Sequence, residues 1–116
     1  MPGWLDQVEA KLIRLRMEAN VDWVVLAQSD GSVAAASPGA DRIDVAALAA
    51  LAAGSLSASG ELMRLAGEAR PPRHMVHRGE SRSLVVSAVG RDRFLLIGFS
   101  PQRRAGLIRA LAERAA

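Results

Sequence analysis

Cysteine is absent from this chain, so disulfides, thiolate nucleophiles and cysteine-based metal sites are excluded, and a reducing compartment is the expected setting. Tyrosine is absent as well, and the aromatic residues are two Trp and two Phe. So few rings provide no stacking platforms, which argues against nucleic acid as a partner. Packing then falls to Ala, Leu and Val, whose small side chains let helices approach closely and are expected to leave little volume for a ligand. Lysine occurs once, at Lys11, and there is no Gly-x-x-x-x-Gly-Lys loop, so the chain is not expected to hydrolyse nucleotides itself. No Gly-x-Ser-x-Gly elbow accompanies the many serines. No uninterrupted apolar run approaches the about 20 residues of a membrane span, and the N-terminus does not read as a secretory signal. A soluble, cytoplasmic, non-enzymatic protein without a cofactor is expected.

The 116 residues fit one domain, 1–116, because domains most often run about 100–150 residues. Fifteen basic and twelve acidic residues give a formal charge of +3, and fourteen of the basic ones are arginine. Arginine hardly titrates, so the high isoelectric point reflects composition rather than a large charge excess.

The strongest structural signal lies in two segments near opposite ends, Val21-Asp22-Trp23-Val24-Val25-Leu26-Ala27 and Phe94-Leu95-Leu96-Ile97-Gly98-Phe99. Neither alternates between apolar and polar residues. Strands apolar on both sides need cover on both faces, so both belong mid-sheet and are natural neighbours. A helix is predicted over 3–19, with Leu5, Val8, Leu12, Leu15 and Ala19 at helical spacing, Ile13 and Met17 widening the apolar face, and Asn20 as its stop. A strand over 21–28 is followed by Ser29-Asp30-Gly31-Ser32, where Asp-Gly supplies the positive φ of a tight hairpin turn. A short alanine-rich edge strand, 32–37, ends at Pro38-Gly39.

Asp41 or Asp44 is expected to cap a second helix. From 45 to 53 that helix is apolar all round, which a helix on the outside of a small sheet should not be unless something covers it. Gly54 and Gly60 lower helix propensity, but Leu62, Met63 and Leu65 resume the pattern to about Gly67. Strands over 73–78, 83–89 and 94–99 follow, separated by turns at Gly79 and Gly90. Ser100-Pro101 then reads as the start of a last helix. The order is α-β-β-α-β-β-β-α.

Candidate chemistry is sparse. His74 and His77 are three apart on a strand, so their side chains point to opposite faces and do not share a metal. Arg70, Arg73, Arg78 and Arg82, with Glu68 and Glu80, read either as a solvated strand edge or as a docking surface for an acidic partner. Arg103 and Arg104 sit at the start of the last helix, against the preference of the helix dipole, which favours an external partner for them.

The first hairpin, the aliphatic run Val45-Ala46-Ala47-Leu48-Ala49-Ala50-Leu51-Ala52-Ala53, and the late series of strands occur in a distinctive order and spacing. In these the chain resembles the Roadblock/dynein light-chain family, of the bacterial gliding-regulator (MglB-like) type, over about residues 3–115. The resemblance implies a profilin-like α/β (α+β) sandwich: a five-stranded antiparallel sheet with two helices on one face and the long middle helix on the other. It implies a homodimer whose middle helices pack side by side and whose third strands join two sheets. Val45, Leu48, Ala49, Leu51, Ala52, Leu56, Met75, Val76 and His77 would then form the interface. It further implies non-catalytic regulation of a Ras-like small GTPase, as activator or scaffold, with no catalytic residue to assign. Arg73, Arg78, Arg82, Arg103 and Arg104 are the candidates for partner docking. Two other readings are a ligand-sensing module, which needs a pocket with convergent polar groups, and an arginine-driven nucleic-acid binder.

Overall fold

The computed structural model describes residues 2–100, with backbone alone for residues 2–6, 8, 9 and 19. Helix α1 (Pro2–Ala19) begins at a proline whose missing N–H costs nothing in the first turn. It stops at Asn20, whose φ of 54° is left-handed, a conformation asparagine tolerates. Leu12 and Leu15 are buried, but Ile13 and Met17 are exposed. The apolar face of α1 is therefore narrower than expected: the sheet beneath it takes one stripe, and Ile13 and Met17 lie outside it.

Strands β1 (Trp23–Gln28) and β5 (Arg93–Phe99) pair antiparallel, with Val25 opposite Leu96. Together with β2 (Val33–Ala36), β3 (His74–Arg78) and β4 (Ser83–Val89) they form a five-stranded sheet in the order β2-β1-β5-β4-β3. All pairings are antiparallel. The two doubly apolar segments are thus neighbours in the sheet interior, and β2 is an edge, as expected.

Strand alternation divides the core into two layers. Val24, Leu26, Val85, Leu95, Ile97 and Phe99 pack with Leu12 and Leu15 of α1. Val25, Ala27, Val86, Phe94 and Leu96 pack on the other face with Ala49 and Ala52. Those two alanines belong to α2 (Val45–Leu65), the long middle helix. The helix expected after Ser100, its arginines Arg103 and Arg104 included, lies outside the described residues.

Two local devices position these layers. The β1–β2 connection has positive φ at Gly31, and its tip is held by Asp30, which accepts hydrogen bonds from the Ser32 N–H (2.9 Å) and hydroxyl (2.6 Å). The tight hairpin expected from Asp-Gly is thus present, with positive φ at Gly31 and an Asx-type bond from Asp30 bracing it. Beyond β2, the Ser37 hydroxyl accepts from the Val24 N–H at 2.8 Å, while the Ser37 N–H donates to the Val24 carbonyl at 2.8 Å. One serine thus satisfies both backbone groups of a core strand residue.

Helix α2 is continuous for 21 residues through Gly54 and Gly60. Asp44 is its cap, its side chain accepting from the Ala47 N–H at 3.1 Å. Asp41 instead falls in a single 3-10 turn, Ala40–Arg42. By length and composition alone α2 is also long and apolar enough to cross a membrane, a test that covering helices pass as well. Serines and glycines interrupt the apolar run in sequence but not the helix. Its inner side nevertheless packs on the sheet, as a covering helix does.

Candidate functional site

The surface that stands out is the outward side of α2. Leu51, Leu62 and Leu65 are 72%, 67% and 72% exposed, although leucine is usually a core residue. With Ser55 and Ala58 they recur at three- and four-residue spacing, so they form one stripe along the helix. The polar pair Glu61 and Arg64 lies off that stripe; the Arg64 guanidinium beside Glu61 holds its carboxyl below the usual range, and Glu61 raises Arg64 in return.

Next to the stripe, α2 and the sheet enclose a cleft of about 650 Å³. Leu48 and Leu51 form one wall, Leu84 and His77 the other, and Trp23 lies at its base. Gly98, opposite Trp23 in register, makes room for the indole: a Cβ there would lie 2.2 Å from Trp23 Cε2. The cleft is bounded by β3, which pairs only with β4 among the described residues. Its outer side is thus a sheet edge, of the kind that invites pairing with another strand.

The expected interface residues fall into two groups. Leu48, Leu51 and His77 line the cleft, Val76 is 38% exposed on the edge strand, and Val45, Leu56 and Met75 are half-buried around the core. Ala49 and Ala52 are buried in the chain's own core, 0% and 7% exposed. Uniform apolarity over 45–53 concealed this difference. The leucines farther along, Leu62 and Leu65, were legible through their spacing from Leu51 but were not assigned to the interface.

Among the described residues the candidate arginines do not form a single patch. Arg73 precedes β3 and donates to the Ala88 carbonyl at 3.4 Å; Arg78 and Arg82 are at the far end of β3, about 16 Å away by strand rise. Arg82 faces Asp22 at 3.7 Å, an exposed pair of small energetic weight. The histidines lie on opposite faces, as alternation requires: His77 borders the cleft, whereas His74 Nδ1 is 3.0 Å from the Ser87 hydroxyl in the other layer. Among the described residues no group of three or more His, Asp or Glu is placed to hold a metal.

Fold and surface together define the class: an α+β module of profilin-like architecture whose helical layer is left apolar on the outside. Profilin of Schizosaccharomyces pombe shares the fold, with a TM-score of 0.69 at 16% identity over 93% of this chain and 92% of that one. The chain belongs to the Roadblock/LC7 family, whose domain residues 8–99 match. It is similar to MglB of Myxococcus xanthus, with a TM-score of 0.88 and 30% identity over 96% of this chain and 83% of that one. It is also similar to a structure described as MglB with tetrameric arrangement, with a TM-score of 0.83 and 26% identity over 95% and 82% of the two chains. No curated protein matches the sequence.

Proposed function

We propose that the protein is a non-catalytic, cytoplasmic homodimer that regulates a Ras-like small GTPase, as an activating partner or as a scaffold. The observation that carries this reading is the exposed leucine stripe of α2 beside the free edge of β3, in a Roadblock/LC7 chain similar to MglB. A two-fold axis beside β3 brings two α2 helices together over two joined sheets. Leu48, Leu51 and Leu62 of one copy then fill the apolar cleft of the other, and both β3 edges are satisfied at once. Arg78 and Arg82 remain at the rim, where they are available to an acidic partner surface.

Light scattering checks the first premise: the proposal requires twice the chain mass at micromolar concentration, and a monomer there defeats it. The second premise is checked by single-turnover GTP hydrolysis and by pull-down with GTP- and GDP-loaded cognate GTPase. An altered hydrolysis rate indicates an activator; nucleotide-dependent binding without rate change indicates a scaffold. A dimer that does neither overturns the GTPase assignment and leaves the module's pairing intact.

A further inference from the structure

The structure assigns a second concave site, for a small amphipathic anion, at the end of the sheet away from Trp23. A cleft of about 510 Å³ opens there between α2 and the ends of β4 and β5. That is larger than the sequence composition promised: the small Ala53 and Ser57 side chains leave part of the gap between helix and sheet unfilled. Ala53, Leu56 and Ser57 form its roof, and Phe94 and Ala88 its floor. The stiff Pro71-Pro72 connector forms one wall, so the opening does not depend on a flexible loop.

Two guanidinium groups border this cleft. Arg73 shares the α2 side of the sheet with Met75 by strand alternation, and one of its nitrogens donates to the Ala88 carbonyl at 3.4 Å, which tethers the group beside the floor. Its remaining N–H donors are available. Arg91 comes from the β4–β5 turn, next to Gly90, whose φ of 67° shapes that turn. Arg93 lines the cleft too, but by alternation its side chain belongs with Leu95 and Ile97 on the other face. No Asp or Glu lines the cleft. Of the acids in the flanking turns, Asp30 is engaged by Ser32, and Asp92 follows Arg91 outside the lining.

A mixed pocket, more apolar than polar, with two arginines at its mouth matches a phosphate or carboxylate head on an apolar body. Guanidinium groups bind such heads through paired, charge-assisted hydrogen bonds. The volume falls within the roughly 300–1,000 Å³ range of small-molecule sites. Enclosure by helix and proline connector favours a small molecule over a protein surface.

The test is an NMR and calorimetric titration of the full chain with phenyl phosphate and with benzoate, against inorganic phosphate and benzyl alcohol. Saturable binding of either aromatic anion is expected, with amide shifts at Ala53, Ser57 and Ala88, and weaker binding of the two controls. The better of the two anions identifies the head group. Arg91→Ala should weaken binding by about tenfold, as loss of a charge-assisted pair implies, without changing the fold. Ser57→Trp, which fills the roof, should abolish it. Absence of saturation, shifts confined to other residues, or unchanged affinity in Arg91→Ala would each overturn the site.

Discussion

At the residue scale, single side chains here do work that segment patterns hide. Gly98 is a strand residue that must lack a Cβ, because the Trp23 indole occupies that space. Gly98→Ala should cost about 1–3 kcal/mol through overpacking against the indole. Urea unfolding checks this, and an unperturbed midpoint would show that Trp23 moves freely. Ser37→Ala strips the Val24 N–H of its acceptor in the core; the loss should be about 1–3 kcal/mol, the cost of an unsatisfied buried donor. Asp30 offers a pH handle. The hydroxyl of Ser32, and then its N–H, hold the Asp30 carboxyl below the usual carboxylate range. Stability from a depressed acid is present above the unfolded-state pKa and lost as pH falls through the folded-state one. The turn is therefore fully supported at neutral pH and loosens only on the acid side of the ordinary Asp range. An NMR titration should find the Asp30 midpoint low in the native chain and closer to normal in Ser32→Ala; equal midpoints would refute the link.

At the element scale, α2 faces two demands that sequence alone did not separate. Ala49 and Leu51 are two residues apart in one aliphatic run, yet one is fully buried on the sheet and the other 72% exposed. Composition is blind to that distinction; it takes the rotational phase of the helix, which the sheet sets. The strands were more legible, because their two-residue alternation and apolar content state directly which are interior. That is why β1 and β5 could be placed side by side from sequence, and why β4 was bounded as Ser83–Val89. The turn before β2 was legible from Asp-Gly, whereas the Asp30 carboxylate that braces it was not. Arg73 and Arg78, close in sequence, lie at opposite ends of β3, a separation that charge counting does not display. A paired substitution tests the division within α2. Leu51→Glu should leave helical circular dichroism intact and shift the mass toward monomer, since it places a charge in the proposed apolar seam. Ala49→Leu should instead destabilise the subunit by about 1–3 kcal/mol through overpacking and leave pairing as it is in whatever remains folded. If both variants behave alike, the inner and outer sides of the helix are not independent.

At the scale of the whole molecule, the question is how a chain with so little aromatic volume keeps its longest helix in place. Only the inner side of α2 is packed, and three of its leucines face outward. In an isolated subunit this layer gains little from burial while bearing the full entropic cost of ordering 21 residues. A second copy seated on the stripe supplies the missing burial and pairs the edge of β3 in the same event. Folding and association are then linked by mass action. Thermal unfolding should consequently depend on protein concentration, each tenfold increase adding about 1.4 kcal/mol per mole of dimer to the apparent stability. Scanning from micromolar to hundreds of micromolar should raise the midpoint steadily for the native chain. Leu51→Glu should unfold at a lower temperature that no longer varies with concentration. A native midpoint that stays constant across that range, with the mass of a monomer, would mean that α2 is held by its inner side alone, and the outward leucines would then have to be explained by a partner other than a second copy.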